Sequence, residues 1–206
     1  MRVLAAALAL VFAGTLAVWP SRPVNAQRVR ATRVITYVPA VPSAPKRSGS
    51  CWTRSIAAPS RADAWRCMLG NEIYDPCFSA KPPGVVVCDV NPVTGGRGFA
   101  VRLTKPLPAG EPLFAARLAL PWVVQLANGE VCVPLTGTHE LIGKESIGYE
   151  CSASRRARDN GAEMGLIDGS IVAGTVWHAR LATFRIPRSG TLTGTVSVVP
   201  LAAVWR

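Results

Sequence analysis

The six cysteines constrain the fold of this chain most, because all of them follow a hydrophobic N-terminal segment typical of a secretion signal. They are Cys51, Cys67, Cys77, Cys88, Cys132 and Cys151. An exported chain meets an oxidising environment, in which cysteines pair as disulfides. The sequence therefore predicts a disulfide-held protein that is secreted or belongs to the cell envelope.

Residues 1–26 have the parts of a signal peptide. Met1-Arg2 supplies a positive start, Val3–Val18 is apolar or small throughout, and Val24-Asn25-Ala26 suits a signal peptidase. We predict cleavage after Ala26. A retained membrane anchor is the alternative, but the apolar run is short for a span of about 20 residues. No later run is long enough to cross a bilayer, so no transmembrane segment is expected after cleavage.

Residues 27–50 are basic and rich in proline, and they contain too little apolar surface to fold alone. We interpret them as a flexible leader to a single disulfide-containing β domain at residues 51–206. The leader contains no acidic residue, and its basic residues are Arg28, Arg30, Arg33, Lys46 and Arg47. Residues 34–38 alternate in hydrophobicity, which is the pattern of a strand added at the edge of the domain.

A single helix is predicted near residues 61–69. Ser60 can act as its N-cap, Asp63 can bond back from the third helical position, and Gly70 can end it. We place Cys77 in the proline-punctuated loop that follows.

From Gly84 onward the pattern is β. Asn128-Gly129 is the dipeptide preferred by a two-residue type I′ hairpin turn, which would pair Gln125 with Cys132. That register places six apolar side chains on one face: Trp122, Val124, Leu126, Val131, Val133 and Leu135. Further strands are predicted near residues 147–151, 165–167, 176–184 and 194–199. The fold class is mainly β, a disulfide-stapled sandwich or barrel with one short helix.

Six cysteines allow 15 pairings, and we favour the sequential one. It joins Cys51 to Cys67, Cys77 to Cys88, and Cys132 to Cys151. The last pair is best supported, because both residues lie in predicted strands separated by one connection.

Few residues suggest chemistry. The closest cysteines are ten positions apart, too far for a zinc or a Cys-x-x-Cys motif, so no metal and no cofactor is expected. The weak catalytic candidates are His178 in a predicted strand and the carboxylates Glu72, Asp75 and Asp89 of the cysteine-rich region. Two of these carboxylates could serve as a glycosidase pair if the fold sets their separation.

A second basic segment lies after Cys151 and contains Arg155, Arg156 and Arg158. Together with the leader it could bind an anionic cell-wall polymer or membrane surface. Nucleic acid is not an expected partner, because the basic residues do not alternate with exposed aromatic ones.

Several segments resemble those of exported, cysteine-rich bacterial proteins of unassigned function, actinobacterial in style. They are Cys51–Pro59, Asp63–Cys67, Asn71–Phe78, Trp122–Gly129 and Tyr149–Cys151. The resemblance extends over about residues 51–180. It implies export and carries over no catalytic or binding residue.

The expected function is that of a non-catalytic binding or structural module, secreted or in the cell envelope and attracted to anionic wall polymers. One alternative is a cell-envelope hydrolase of glycan or peptide that uses His178 or a carboxylate pair. The other is a secreted inhibitor or ligand-binding domain that presents a disulfide-fixed loop around Asp75–Phe78.

Overall fold

A computed structural model describes residues 29–42, 44–113, 120–152, 162–186 and 192–206. Its strands form two closed barrels, so the predicted mainly β fold is confirmed. The predicted signal peptide, residues 1–26, lies outside the described residues. In the part of the chain that is described, no helix is both long and apolar enough to span a bilayer.

The first barrel consists of five consecutive strands. Each pairs antiparallel with the next, and the first and last pair in parallel to close the ring. Parallel closure follows from the odd number of strands, since the fifth strand runs in the same direction as the first. The strands are β2 (Arg47–Arg54), β3 (Ala64–Leu69), β4 (Glu72–Ser79), β5 (Val85–Cys88) and β6 (Phe99–Leu103).

The second barrel is a ring of six antiparallel strands, in the order β7 (Val123–Leu126), β8 (Val131–Pro134), β10 (Glu145–Cys151), β11 (Glu163–Ile167), β12 (His178–Arg185) and β13 (Thr193–Trp205). The long β13 closes the ring, because its first part pairs with β12 and its last part pairs with β7. Two short strands, β1 (Arg33–Ile35) and β9 (Leu141–Ile142), pair with β13 and β10.

The predicted sequential disulfides are confirmed. Cys51 is bonded to Cys67, Cys77 to Cys88, and Cys132 to Cys151. Each disulfide joins residues that stand opposite each other on neighbouring antiparallel strands. The cysteines lie within the hydrophobic cores of the two barrels, so the crosslinks are shielded from solvent.

The prediction of a short helix near residues 61–69 is wrong, because most of this stretch forms strand β3. Trp65, Cys67 and Leu69 are buried at a spacing of two, which is the period of a strand. Cys67 must also stand opposite Cys51 for their disulfide to form. These tertiary constraints override the local capping signals.

The turn of the predicted hairpin has three residues instead of two. Leu126 N–H donates to the Glu130 carbonyl at 2.8 Å, which places residues 127–129 in the loop. The side chain of Asn128 accepts from Glu130 N–H at 3.1 Å, and Gly129 supplies a positive φ of 88°. A three-residue loop with a left-handed glycine is a common alternative to the type I′ turn.

This extra loop residue shifts the register and corrects the predicted apolar face. Val124 now stands opposite Cys132, and both side chains lie in the core of the second barrel. Val131 and Val133 point the other way, toward the first barrel. A shift of one residue exchanges the two faces of a strand. The apolar residues predicted to share one face therefore lie on two different buried faces.

Much of the segment predicted as a flexible leader is built into both barrels. The edge strand predicted at residues 34–38 is present in part, as the shorter β1 at Arg33–Ile35, which pairs in parallel with the end of β13. Thr32 Oγ1 donates to the Leu201 carbonyl at 2.7 Å. At the other end of the segment, β2 begins at Arg47, which stands opposite Val101.

The two barrels meet at three aromatic rings in mutual contact, which we call the aromatic junction: Tyr37, Phe78 and Trp122. Their ring centroids are 5.1–5.4 Å apart at tilted or edge-on angles. Phe78 belongs to the first barrel, Trp122 precedes the first ring strand of the second, and Tyr37 comes from the N-terminal segment. Small and aliphatic residues complete this cluster: Ala58, Ala64, Val123, Ala203 and others around them.

We expect Gly165→Ala to destabilise the second barrel. A Cβ at Gly165 would clash with Ile147 Cγ2 and lie 2.6 Å from the Tyr149 carbonyl oxygen, and these atoms cannot both move away. Overpacking of this kind costs about 1–3 kcal/mol in the free energy of unfolding, measurable by urea denaturation. Gly137→Ala is the matched control, because a Cβ added there would meet nothing within 4 Å. Equal urea midpoints for the two variants would contradict the packing described for β10 and β11.

Candidate functional site

A cleft of about 360 Å³ lies between the two barrels. We call it the inter-barrel cleft. Its first-barrel wall comes from the middle of β4 and from the loop after β5, and its second-barrel wall comes from the β7–β8 hairpin. The residues that define it are Ile73, Asp75, Asp89, Trp122, Val133 and Thr136.

Asp75, a predicted catalytic candidate, lies in the wall of this cleft with its carboxylate fully engaged. One oxygen accepts from Ser55 Oγ and Ala57 N–H, and the other accepts from Ile56 N–H and Arg66 Nη1, both at 3.2 Å. Burial raises the pKa of Asp75, while these four donors act to lower it. The carboxylate therefore fixes the loop after β2 and has no lone pair left for substrate chemistry.

Arg66 connects this carboxylate to the second barrel. Besides its ion pair with Asp75, its Nη1 lies 3.4 Å from the Thr136 carbonyl oxygen. Its guanidinium also lies 5.8 Å from the ring centroid of the exposed Trp52. Arg66 thus bridges the two barrels beside the cleft.

Glu72 and Arg47, predicted as catalytic and anion-binding candidates respectively, neutralise each other. Glu72 Oε2 accepts from Arg47 Nη2 at 3.0 Å and from the Tyr74 hydroxyl. Hydrogen bonds from Tyr74 and then Arg47 lower the pKa of Glu72. The Arg47 guanidinium also lies 4.6 Å from the ring centroid of Phe99. The side chains of this exposed cluster are therefore engaged with one another.

His178 belongs to the second barrel, whereas Glu72 and Asp75 belong to the first. It is exposed at the start of β12 in the second barrel, where its backbone exchanges hydrogen bonds with Val172. Arg180, two residues further along the strand, forms an ion pair with Glu145. The structure therefore does not bring His178 to the carboxylates of β4.

The segment Asp75–Phe78, predicted to be a disulfide-fixed loop, is part of strand β4. Cys77 pairs with Trp65 on one side and with Cys88 on the other. Phe78 is completely buried in the aromatic junction. These residues present no projecting loop to a partner.

Asp89 is the carboxylate of the cleft that remains available. It follows β5, its side chain is exposed, and it has no ion-pair partner among the described residues. Its φ of 56° is the left-handed conformation that aspartate tolerates better than most residues. Gly98 packs so closely against this turn that a Cβ there would clash with the Cys88 carbonyl oxygen.

Trp122 lines the cleft and contains a buried polar group that has no partner in the described part of the chain. Its side chain is only 3% exposed, and its Nε1–H has no hydrogen-bond acceptor among the described residues. A buried donor without an acceptor costs about 1–3 kcal/mol, so such groups are rare in folded proteins.

The structure separates the basic residues predicted to bind anionic surfaces. Arg30 and Arg33 are exposed beside the second barrel, where Arg33 stands opposite Ala203. Lys46 is exposed next to the first barrel, immediately before β2. The remaining candidates, Arg28, Arg155, Arg156 and Arg158, lie outside the described residues.

The first barrel instead gathers exposed cations at one end, which we call the basic end. Its members are far from the leader in sequence, and none forms an ion pair with another described residue. They are Lys81, Arg102 and Lys105.

Strand register explains this grouping. Arg102 in β6 stands opposite Val85 of β5 and beside Ser48 of β2. Lys81 lies in the turn before β5, and the end of that turn, the Gly84 carbonyl, accepts from Leu103 N–H at 2.8 Å. No local signal in the sequence marks this end, because its residues are dispersed and meet only when the barrel closes.

The sulfur atoms of Cys67, Cys77 and Cys88 lie within 4.8 Å of one another. All three belong to disulfides, so they offer no thiolate to a metal ion.

Comparison with known proteins adds no assignment: no family model, no curated protein and no solved structure matches this chain. The inter-barrel cleft and the basic end are therefore the features on which a function can rest.

We expect Asp75→Asn to lower stability, because one oxygen becomes an NH₂ group that faces two donors. Loss of these buried hydrogen bonds costs about 2–3 kcal/mol in the free energy of unfolding, measurable by urea denaturation. Glu72→Gln removes a carboxylate from the same strand, but its ion pair is exposed and we expect little change. Equal stability of the two variants would show that Asp75 does not fix the loop.

Proposed function

We propose that this protein is an exported, non-catalytic module that binds an anionic polymer of the cell envelope through the basic end. The observation that carries the proposal is the convergence of Lys81, Arg102 and Lys105 at one end of the first barrel without a carboxylate partner among the described residues.

The charge balance of the first barrel supports this proposal. Residues 44–113 contain nine basic and five acidic residues. Three of the acidic ones, Asp63, Glu72 and Asp75, are already held in ion pairs with arginines. The excess positive charge is therefore carried by exposed side chains, several of which belong to the basic end.

A polymer with repeated phosphate or carboxylate groups suits such a surface. Each exposed contact is weak and screened by salt, with a screening length of about 10 Å at 0.1 M. A polyanion can contact several cations at once, so the summed binding free energy is favourable although each contact contributes little. Binding of this kind falls steeply with ionic strength.

The candidate catalytic residues favour a binding role over hydrolysis. Asp75 is saturated with internal donors, Glu72 is paired with Arg47, and His178 lies on the other barrel. Three buried disulfides are consistent with the oxidising environment outside the cytoplasm. Export itself is part of the proposal.

Co-sedimentation of residues 27–206 with purified cell-wall sacculi tests this function. We expect saturable binding that weakens as salt rises, and that is lost when phosphate-containing polymers are stripped from the sacculi. Charge reversal of the basic end by Lys81→Glu, Arg102→Glu and Lys105→Glu should weaken binding by about tenfold or more, since each lost contact is worth several tenths of a kcal/mol.

A matched control reverses three exposed cations elsewhere: Arg33→Glu, Lys144→Glu and Arg185→Glu. It changes the net charge equally but leaves the basic end intact, so its binding should remain close to that of the unchanged protein. Equal loss of binding in both variants would show that net charge, and not the basic end, determines the binding. Binding that ignores salt, or the appearance of soluble glycan or peptide fragments, would refute the proposal and favour a hydrolase.

A further inference from the structure

We propose that the inter-barrel cleft is a second binding site, of opposite polarity, which takes the lysine side chain of a partner peptide. This site is separate from the basic end and does not depend on its function. The inference rests on a free carboxylate and apolar walls that line the same cavity: Asp89, Ile73, Val131 and Val133.

Asp89 supplies the charge. The other carboxylate of the cleft, Asp75, is compensated by Arg66 and by three further donors. Asp89 has no such partner among the described residues and is exposed at the cleft. A cation would therefore gain a charge-assisted hydrogen bond here, whereas an anionic group would be repelled.

The position of Asp89 is fixed by its backbone. Its positive φ occurs in a turn against which Gly98 packs in direct contact. Neighbouring Asn91 accepts from the N–H groups of Val93 and Thr94, both at 3.1 Å, and so orders the rest of the loop. A carboxylate on such an ordered loop loses little conformational entropy when it binds a ligand.

The walls suit the aliphatic part of a lysine. Ile73 is half exposed at the cleft, and Val131, Val133 and Pro134 line the opposite side. A lysine side chain buries its methylene groups along apolar surface while its ammonium group remains with a polar partner. Ile73 and the β8 residues would contact the methylenes, and Asp89 would hold the ammonium.

Trp122 lines the cleft and can report on its occupation. Its indole ring is held firmly by Tyr37 and Phe78, so the environment of its Nε1–H changes when a ligand contacts the cleft wall. The volume of about 360 Å³ fits one side chain with its adjoining peptide groups.

The indole Nε1–H resonance of Trp122 gives a direct readout. We would titrate the intact protein with the peptide acetyl-Gly-Lys-Gly-amide and, in parallel, with the uncharged acetyl-Gly-norleucine-Gly-amide. The lysine peptide should shift the Trp122 resonance saturably, and the norleucine peptide should bind about tenfold more weakly, as expected for one lost charge-assisted bond.

Asp89→Asn tests the carboxylate, since asparagine also tolerates a positive φ and the fold should be kept. We expect this variant to lose about tenfold in lysine-peptide affinity, which corresponds to about 1.4 kcal/mol. Glu111→Gln, an exposed substitution outside the cleft, is the control and should bind like the unchanged protein. The basic-end triple variant should also bind the lysine peptide normally.

Three results would overturn the inference. They are equal shifts with the two peptides, unchanged lysine-peptide affinity in Asp89→Asn, and no movement of the Trp122 resonance with either peptide. A chitin oligosaccharide that shifts Trp122 while the lysine peptide does not would likewise replace the peptide with a sugar as ligand.

Discussion

The packing of Tyr37 against Phe78 and Trp122 is the interaction on which the rest of this structure depends. These rings join two barrels that are each closed by their own strand pairing. Phe78 lies in β4 and Trp122 directly precedes β7, so their contact sets the separation of the two walls of the inter-barrel cleft. The cleft thus results from how the two barrels meet, and the residues that line it come from distant parts of the sequence.

Local features of the sequence predicted the strands and disulfides well. The β pattern after Gly84 is confirmed. Two disulfides join strands that are consecutive in the chain, and the third joins β8 to β10 across the short β9. Predictions that depended on a longer-range choice failed. The capping signals at Ser60 lost to the pairing of β3, and the predicted pairing of Gln125 with Cys132 gave way to a register in which Val124 stands opposite Cys132.

The two candidate sites could be predicted only in part. Lys81, Arg102 and Lys105 are dispersed in the sequence and come together through strand pairing that the sequence does not reveal. Asp89 is recognisable as a carboxylate of the cysteine-rich region, yet only the folded structure shows that Asp75 has an ion-pair partner and Asp89 has none among the described residues. Such distinctions between free and compensated charges require tertiary contacts.

Hydrogen exchange measured by mass spectrometry on Tyr37→Ala tests the central claim most directly, with Val38→Ala as the control because Val38 is 76% exposed. If the aromatic junction couples the barrels, Tyr37→Ala will accelerate exchange in β4 of the first barrel and in β7 of the second, while Val38→Ala leaves both protected. Unchanged protection in Tyr37→Ala, or acceleration confined to residues 29–42, would show that this segment is a leader that merely rests on two independent barrels.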